Sequence, residues 1–537
     1  MEKALEMGKR GATGSFQLLI GVAASTIIMA VGTIILGRLL TPDEYGLYGI
    51  AMVPSTLIIL FRDWGINSAI TRYTASLRAS HREEEIHDFI AAGLIFEVAS
   101  GIALSFLSLF LASFIASTVF HKPESASYIA IISISIISGS LLATSQGGFI
   151  GFERMGLNSF TLICQAVAKV AVGPVLVILG YNVFGAVIGY TMGYIAAGII
   201  GLTTFYLILI RPLRKKRTRN SNITKTLKTM LNYGFPLGIG SIVTGILTQV
   251  YAFTVISLVS NAMYGNYLVA LNFGMLLTFF TTPITTVLFP AFAKLDPQNE
   301  RELVKNVFAS SIKYTSILLV PATMILIALS GPIVGTLYGE KYVYAPFFLT
   351  IYAAGTLFAV LGSLSLNSFL PGLGKTGMVM KQNIITIIVG FPLGLFLIPT
   401  LGITGLLIAG VLAGVPSMIW ILYWIWKHYG ARADFQSSAK ILAASAIAAL
   451  LAYLPTILNT THWIKLAIGL TIFLTAYILG APLIGAVSLS DINNLQTMFS
   501  GLGFVSPIIN IPLKAAERVA LFKTPKSTPH TSPHATE

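Results

Sequence analysis

Runs of apolar residues long enough to cross a bilayer alternate with short polar segments about fourteen times along this chain. The expected spans are 15–39, 45–71, 88–119, 126–149, 158–180, 182–210, 233–259, 263–291, 307–337, 345–370, 377–399, 402–426, 437–458 and 463–487. Several exceed the roughly 20 residues a spanning helix needs, which implies tilt or extension past the hydrocarbon. The first run, Ser15 to Leu36, is too long for the apolar part of a secretory signal. It ends in Arg38 without a small-residue cleavage site, so it is read as a retained helix. From Ser488 onward the chain is too polar to span again. Residues 495–522 are expected to form an amphipathic helix on the membrane surface, and Lys526 to Glu537, rich in Pro, Ser and Thr, to be disordered.

Composition sets the same class. Of the 537 residues, 55% are hydrophobic and only 10% charged, against about 25% charged in soluble proteins. Mean hydropathy is +0.81. Such a chain needs lipid as solvent, which gives the fold class: an all-α integral membrane protein. The net charge of +14 does not indicate nucleic acid, because the basic residues sit in short loops. With the N-terminus placed in the cytoplasm, inward loops hold 27 of the 34 Lys and Arg residues. Outward loops hold Arg38, Lys122, Lys341 and Lys465, while Arg62, Lys169 and Lys313 lie within spans. This bias predicts both termini in the cytoplasm of a multi-pass cell-membrane protein. The single cysteine, Cys164, offers neither disulfide nor metal site and is read as packing.

The two halves repeat, with positions in the first matching positions in the second at a displacement that drifts slightly later in the repeat. Tyr45-Gly46-Leu47-Tyr48 matches Tyr264-Gly265-Asn266-Tyr267, Ala51 matches Ala270, Arg82-Glu83 matches Arg301-Glu302, and Phe16 and Gly21 match Phe235 and Gly240. The displacement carries the first helix onto the seventh. Six is even, so both copies face the same way, with a pseudo-twofold axis along the membrane normal. The expected organisation is a six-helix lobe over 1–210, a basic linker over 211–232, a second six-helix lobe over 233–427, helices 13 and 14 over 428–487, and a tail over 488–537. Two parallel lobes imply a cleft that rocking would expose to each side in turn.

The order of a Gly- and Ser-rich first helix, then Gly37-Arg38-Leu39-Leu40-Thr41-Pro42-Asp43-Glu44-Tyr45-Gly46-Leu47-Tyr48, then Asp63-Trp64-Gly65 and Ile70-Thr71-Arg72-Tyr73, resembles one family. It is similar to the polysaccharide transporters, the Wzx-type flippases, of the multidrug/oligosaccharidyl-lipid/polysaccharide exporter superfamily. The resemblance implies translocation of a polyprenyl-phosphate or polyprenyl-pyrophosphate oligosaccharide in surface polysaccharide or glycoprotein-glycan assembly. It also implies pathway glycosyltransferases or a polymerase as partners, beside membrane lipids. Related branches carry a peptidoglycan precursor or drugs, so two alternatives stay open: an ion-coupled drug or cation antiporter, and an integral-membrane glycosyltransferase or polymerase.

A lipid-linked sugar requires cations for its phosphate inside a hydrated chamber. A cation in hydrocarbon costs roughly 2.5–3.5 kcal/mol on insertion scales, so each buried one calls for a reason. Arg62, expected within helix 2, and Lys169, mid-way along helix 5, are the leading candidates. The equal rival for Arg62 is an ion pair with Asp63 or Glu97 that holds helices 2 and 3 together, and for Lys169 it is a pairing with Glu97. Glu97 and Asp63 are the deep acids and could couple an ion. Arg38 and Arg72 either guard the cavity mouths or anchor to headgroups. Lys313 is placed to snorkel inward. Gln249, Asn272 and Asn367 could bond sugar hydroxyls, against the alternative of interhelical hydrogen bonds. Thr41-Pro42-Asp43-Glu44 is a helix start, with Thr as cap and Glu three residues on. Asn459-Thr460-Thr461 is an external sequon. No nucleotide-binding, cofactor or metal-ligand pattern occurs, so energy, if needed, is expected to come from an ion gradient or potential and not from ATP.

Overall fold

The computed structural model describes residues 2–62, 64–214, 222–274, 299–500 and 506–523, with Leu277, Leu288 and Phe292. Every regular element among them is a helix. The principal ones are α1 (Glu2–Leu39), α2 (Pro42–Leu60), α3 (Ile66–Ala79), α4 (Glu83–Phe114), α5 (Ala126–Gly151), α6 (Met155–Leu176), α7 (Asn182–Phe205), α8 (Ile223–Leu258) and α9 (Asn261–Asn272). They continue with α10 (Arg301–Ala328), α11 (Ser330–Leu337), α12 (Ala345–Thr356), α13 (Ser363–Gly372), α14 (Thr376–Leu401) and α15 (Ile403–Tyr429). The last are α16 (Phe435–Tyr453), α17 (His462–Ile484), α18 (Leu489–Ser500) and α19 (Ser506–Lys523).

Among the described residues, nine stretches are long and apolar enough to cross a membrane, or eleven if two bent pairs each make one span. One of the nine, Met155–Ile210, turns back at Gly180, whose φ of +93° breaks the helix, so α6 and α7 pack along each other. Most of the expected span 263–291 lies outside the described residues.

The helices are amphipathic in the sense lipid demands. On α4, Gly93, Glu97, Gly101, Ser108 and Ala112 form one buried face of small and polar residues. Phe106 and Phe110, 67% and 85% exposed, mark the opposite side. Small residues inside let backbones approach, and large apolar ones outside meet acyl chains.

The expected continuous helix over 45–71 is broken. α2 ends at Leu60 and α3 starts at Ile66. Gly65 takes a left-handed φ of +76°, which a side chain would resist, and a Cβ there would collide with the Gly234 backbone of α8. Arg62 therefore sits in the non-helical link, and the geometry of a regular helix no longer sets its direction.

Two compact units result: Met1–Phe279 with Leu337–Ile351 and Gly377–Trp420, and Phe280–Thr336 with Tyr352–Thr376 and Ile421–Glu537. In the first, α6 packs on α1 and α7, α5 on α4 and α7, and α2 on α9. In the second, α10, α16 and α17 share an apolar core with the tail helices: Ile317, Val320, Ile441 and Ala481 meet Ile492, Leu495, Ala516 and Ala520. The single surface helix expected over 495–522 is thus two helices folded onto their unit. Lys313 of α10 does not snorkel alone. Its Nζ lies 2.6 Å from Asp491 Oδ2 of α18, a carboxylate that also accepts from the Ser488 backbone N–H.

Candidate functional site

The deep charges of the first unit lie in one layer. Glu97 is fourteen residues into α4 and Lys169 fourteen into α6, each about 21 Å along its helix at 1.5 Å per residue. Glu97 is fully buried, and its Oε2 lies 3.6 Å from Arg62 Nε. That is an ion-pair distance rather than a hydrogen bond. The Arg62 guanidinium passes beside Gly139 of α5, where a Cβ would meet Nη1 at 2.8 Å, with the Tyr194 ring of α7 flanking the same point. The α2–α3 link and three helices, α4, α5 and α7, thus enclose the pair.

Lys169 points the other way from lipid. On α6, Phe160, Val167 and Val175 are about half exposed and mark the acyl-chain face. Lys169 is two residues from Val167, hence about 200° round the helix. Its Nζ stands 4.7 Å from the Tyr190 ring centroid, a cation–π contact. Tyr190 in turn lies 5.2 Å from Tyr194, and Tyr48 of α2 is within electrostatic range of both phenols. Among the described residues no carboxylate pairs with Lys169. A polar chain therefore runs from Lys169 through Tyr190 and Tyr194 to Arg62 and Glu97.

A cavity of about 480 Å³ is lined by Trp64, Phe96, Leu231, Asn232, Phe235 and Pro236. Trp64 and Phe96 are near neighbours in sequence of Arg62 and Glu97. Trp64 stacks on Phe235 with centroids 5.4 Å apart, and the Arg72 guanidinium lies 4.2 Å from the Tyr233 ring. The α2–α3 link and α3 are thereby held against α8.

At the other end of α2, a second junction joins the two sequence repeats. Thr41 caps α2 in a capping box with Glu44, and Ser260, its equivalent in the second repeat, caps α9. Gly46 and Gly265 let these helices cross: a Cβ on the first would strike the Asn261 carbonyl, on the second the Pro42 carbonyl. Three cations tie helix ends together through carbonyls. Arg38 Nε donates to Leu337 O at 2.8 Å, Lys341 Nζ to Arg38 O at 2.7 Å and Leu40 O at 2.5 Å, and Lys122 Nζ to Val259 O at 3.0 Å. Burial pushes the pKa of both lysines down, the mark of lost hydration that these carbonyl bonds must return. Tyr342 Oη donates to Gly37 O, and Asn266 Oδ1 accepts from the Tyr344 and Ala345 backbone at the start of α12.

The remaining candidates fall on contacts between helices. Thr56 Oγ1 donates to Gln249 Oε1 at 3.2 Å, and Asn272 Nδ2 donates to the hydroxyls of Tyr45 at 2.8 Å and Tyr338 at 3.2 Å. Asn367 is exposed on α13. Asp63 lies outside the described residues. The structure thus brings Arg62 and Glu97 together and leaves Lys169 across the tyrosine chain. It puts Arg38 just before the start of α2 and Arg72 beyond its other end, within α3. Sequence reasoning missed Tyr190 and Tyr194, although their four-residue spacing beside Gly189 and Gly193 places them on one face of α7. It also missed Lys122 and Lys341, whose carbonyl partners lie far away along the chain.

A bundle of long apolar helices around a charged inner layer defines a multi-pass membrane protein, and the fold is that of a known class of transporters. It resembles the solved lipid II flippase MurJ in an inward closed conformation, with TM-score 0.68, 18% identity, and coverage of 86% of this chain and 97% of that one. It also resembles an inward-facing multidrug resistance MATE family transporter of the MOP superfamily, with TM-score 0.60, 14% identity and coverage of 76% and 94%. Residues 12–296 match the polysaccharide biosynthesis protein family, and the chain belongs to it. Among curated relatives, the probable low-salt glycan biosynthesis flippase Agl15 of Haloferax volcanii is 19% identical over 87% of this chain and 94% of its own. The lipopolysaccharide biosynthesis protein WzxC of Escherichia coli is 24% identical over 59% and 62%.

Proposed function

We propose that the protein translocates a lipid-linked oligosaccharide across the membrane by alternating access, with the phosphate held in the charged layer of the first unit. The carrying observation is Lys169. Of the three cations that the sequence places within spans, all among the described residues, Arg62 is paired with Glu97 and Lys313 with Asp491. Lys169 faces a tyrosine ring inside the bundle, a cation with no carboxylate partner among the described residues. Uncompensated charge at that depth is costly, and an anionic headgroup would offset the cost. Phenol hydroxyls at Tyr190 and Tyr194 suit a phosphate or sugar, and the apolar cavity at Trp64 and Phe235 suits a prenyl chain. The named activities of the flippase relatives agree with this reading.

In this reading the carbonyl-bonded junction at the capped ends of α2 and α9 closes the outer side and must open to release cargo. Reconstitution with a fluorescent lipid-linked sugar, read by quencher accessibility across the bilayer, tests the proposal. Transport by the wild-type protein and its loss in Lys169→Ala support it. Wild-type transport that survives Lys169→Ala would remove Lys169 from the site, and no transport at all would end the flippase reading.

A further inference from the structure

Charge bookkeeping in the same layer carries a finer conclusion, which rests on the transport reading above. We infer that the site is built for a singly charged phosphodiester, the link in a polyprenyl-monophosphate sugar, and that Glu97 sets this valence. Arg62 would otherwise be a second cation facing the tyrosine chain. Glu97, fully buried and 3.6 Å from its Nε, cancels it, so among the described residues the layer presents one net positive charge, on Lys169. A phosphodiester carries one negative charge and is neutralised by that lysine. A pyrophosphate diester carries two and would leave one unbalanced within the membrane, where an uncompensated charge is costly. Two further features fit. Lys is a compact point charge, whereas the forked guanidinium that would grip a pyrophosphate from two sides is held away between Gly139, Tyr194 and Glu97. The phenols of Tyr190 and Tyr194 add neutral donors that bond oxygens without adding charge.

Glu97 is thus a specificity-determining residue for the cargo's linkage. Full-length protein in proteoliposomes is tested with three fluorescent lipids: a polyprenyl-monophosphate hexose, the matching polyprenyl-pyrophosphate hexose, and phosphatidylethanolamine. Wild type is expected to move the monophosphate at least about tenfold faster than the pyrophosphate. Glu97→Gln, which releases the Arg62 charge, is expected to reverse or erase that preference. Because this variant leaves a buried guanidinium unpaired and could fold poorly, Arg62→Met/Glu97→Gln serves as the second arm. It restores neutrality and is expected to restore monophosphate preference. Wild type that moves the pyrophosphate as fast as or faster than the monophosphate overturns the inference while leaving the flippase reading intact, as does an unchanged preference in a folded Glu97→Gln protein. Equal movement of phosphatidylethanolamine would overturn both, because the layer would then be reading any phosphodiester lipid rather than a sugar carrier.

Discussion

Arg62 and Lys169 are equivalent in the sequence, both single cations in apolar runs, and the structure separates them by their neighbours. Removing Arg62 alone takes away the cation 3.6 Å from a fully buried Glu97, and breaking a buried pair costs about 3–5 kcal/mol. Arg62→Ala is therefore expected to lower stability as well as transport. Lys169 has a tyrosine ring for a partner, so its removal unburdens the fold. Lys169→Met should raise the thermal unfolding midpoint or leave it unchanged while reducing transport more than about tenfold, the loss of one charge-assisted contact of about 1.5–3 kcal/mol. Lys169→Arg should keep part of the rate. Unfolding followed by tryptophan fluorescence, run beside the transport assay, separates the two outcomes. If Lys169→Met destabilises the protein and spares transport, the lysine is structural. That charges occupy this layer was legible from sequence, because hydrophobic runs expose every exception. Which acid neutralises which base was not, since Glu97 stood equally available to either cation until the fold placed it.

The elements carry two predictions. The junction at the capped ends of α2 and α9 relies on cations bonded to carbonyls that helix ends leave without partners. Lys341→Met with Arg38→Gln removes three such bonds, and the outer side should open more often. In a Cys164→Ser background, a cysteine at Tyr342 should then react several times faster with an impermeant maleimide. An unchanged rate would mean that the Gly46–Gly265 crossing alone holds the junction. The tail gives the second. The 2.6 Å Lys313–Asp491 bridge anchors α18 to α10, and charged hydrogen bonds contribute about 1.5–3 kcal/mol. Asp491→Asn should lower the unfolding midpoint and speed proteolysis near residue 488, while the exchange Lys313→Asp/Asp491→Lys should recover part of the loss. The helix start at Thr41 was readable because a capping box is local. The break at Gly65 was not, because its cause is the approach of Gly234 from a helix in the other repeat.

At the scale of the molecule, the repeat makes a demand that the structure permits to be stated residue by residue. Thr41 and Ser260 cap equivalent helices of the two repeats, and these helices cross at Gly46 and Gly265 with their capped ends in contact. Two helices that start side by side and run into the membrane start on the same face of it. An even number of crossings must therefore separate them, which is the condition for a parallel rather than an inverted repeat. The choice of face then rests on the Lys and Arg bias alone, because nothing in the packing distinguishes inside from outside. That bias puts the capped ends outside, the α3–α4 turn at Ser80 inside, and the α16–α17 turn at Asn459 outside. Both turn positions are exposed, so each can carry a reporter cysteine in the Cys164→Ser background. With an impermeant maleimide on intact cells, Asn459→Cys should react at once and Ser80→Cys only after permeabilisation. The reverse pattern would invert the protein in the membrane while keeping the parallel repeat. Labelling of both from the same side would mean an even rather than odd number of crossings between Ser80 and Asn459, and would overturn the fourteen-span topology.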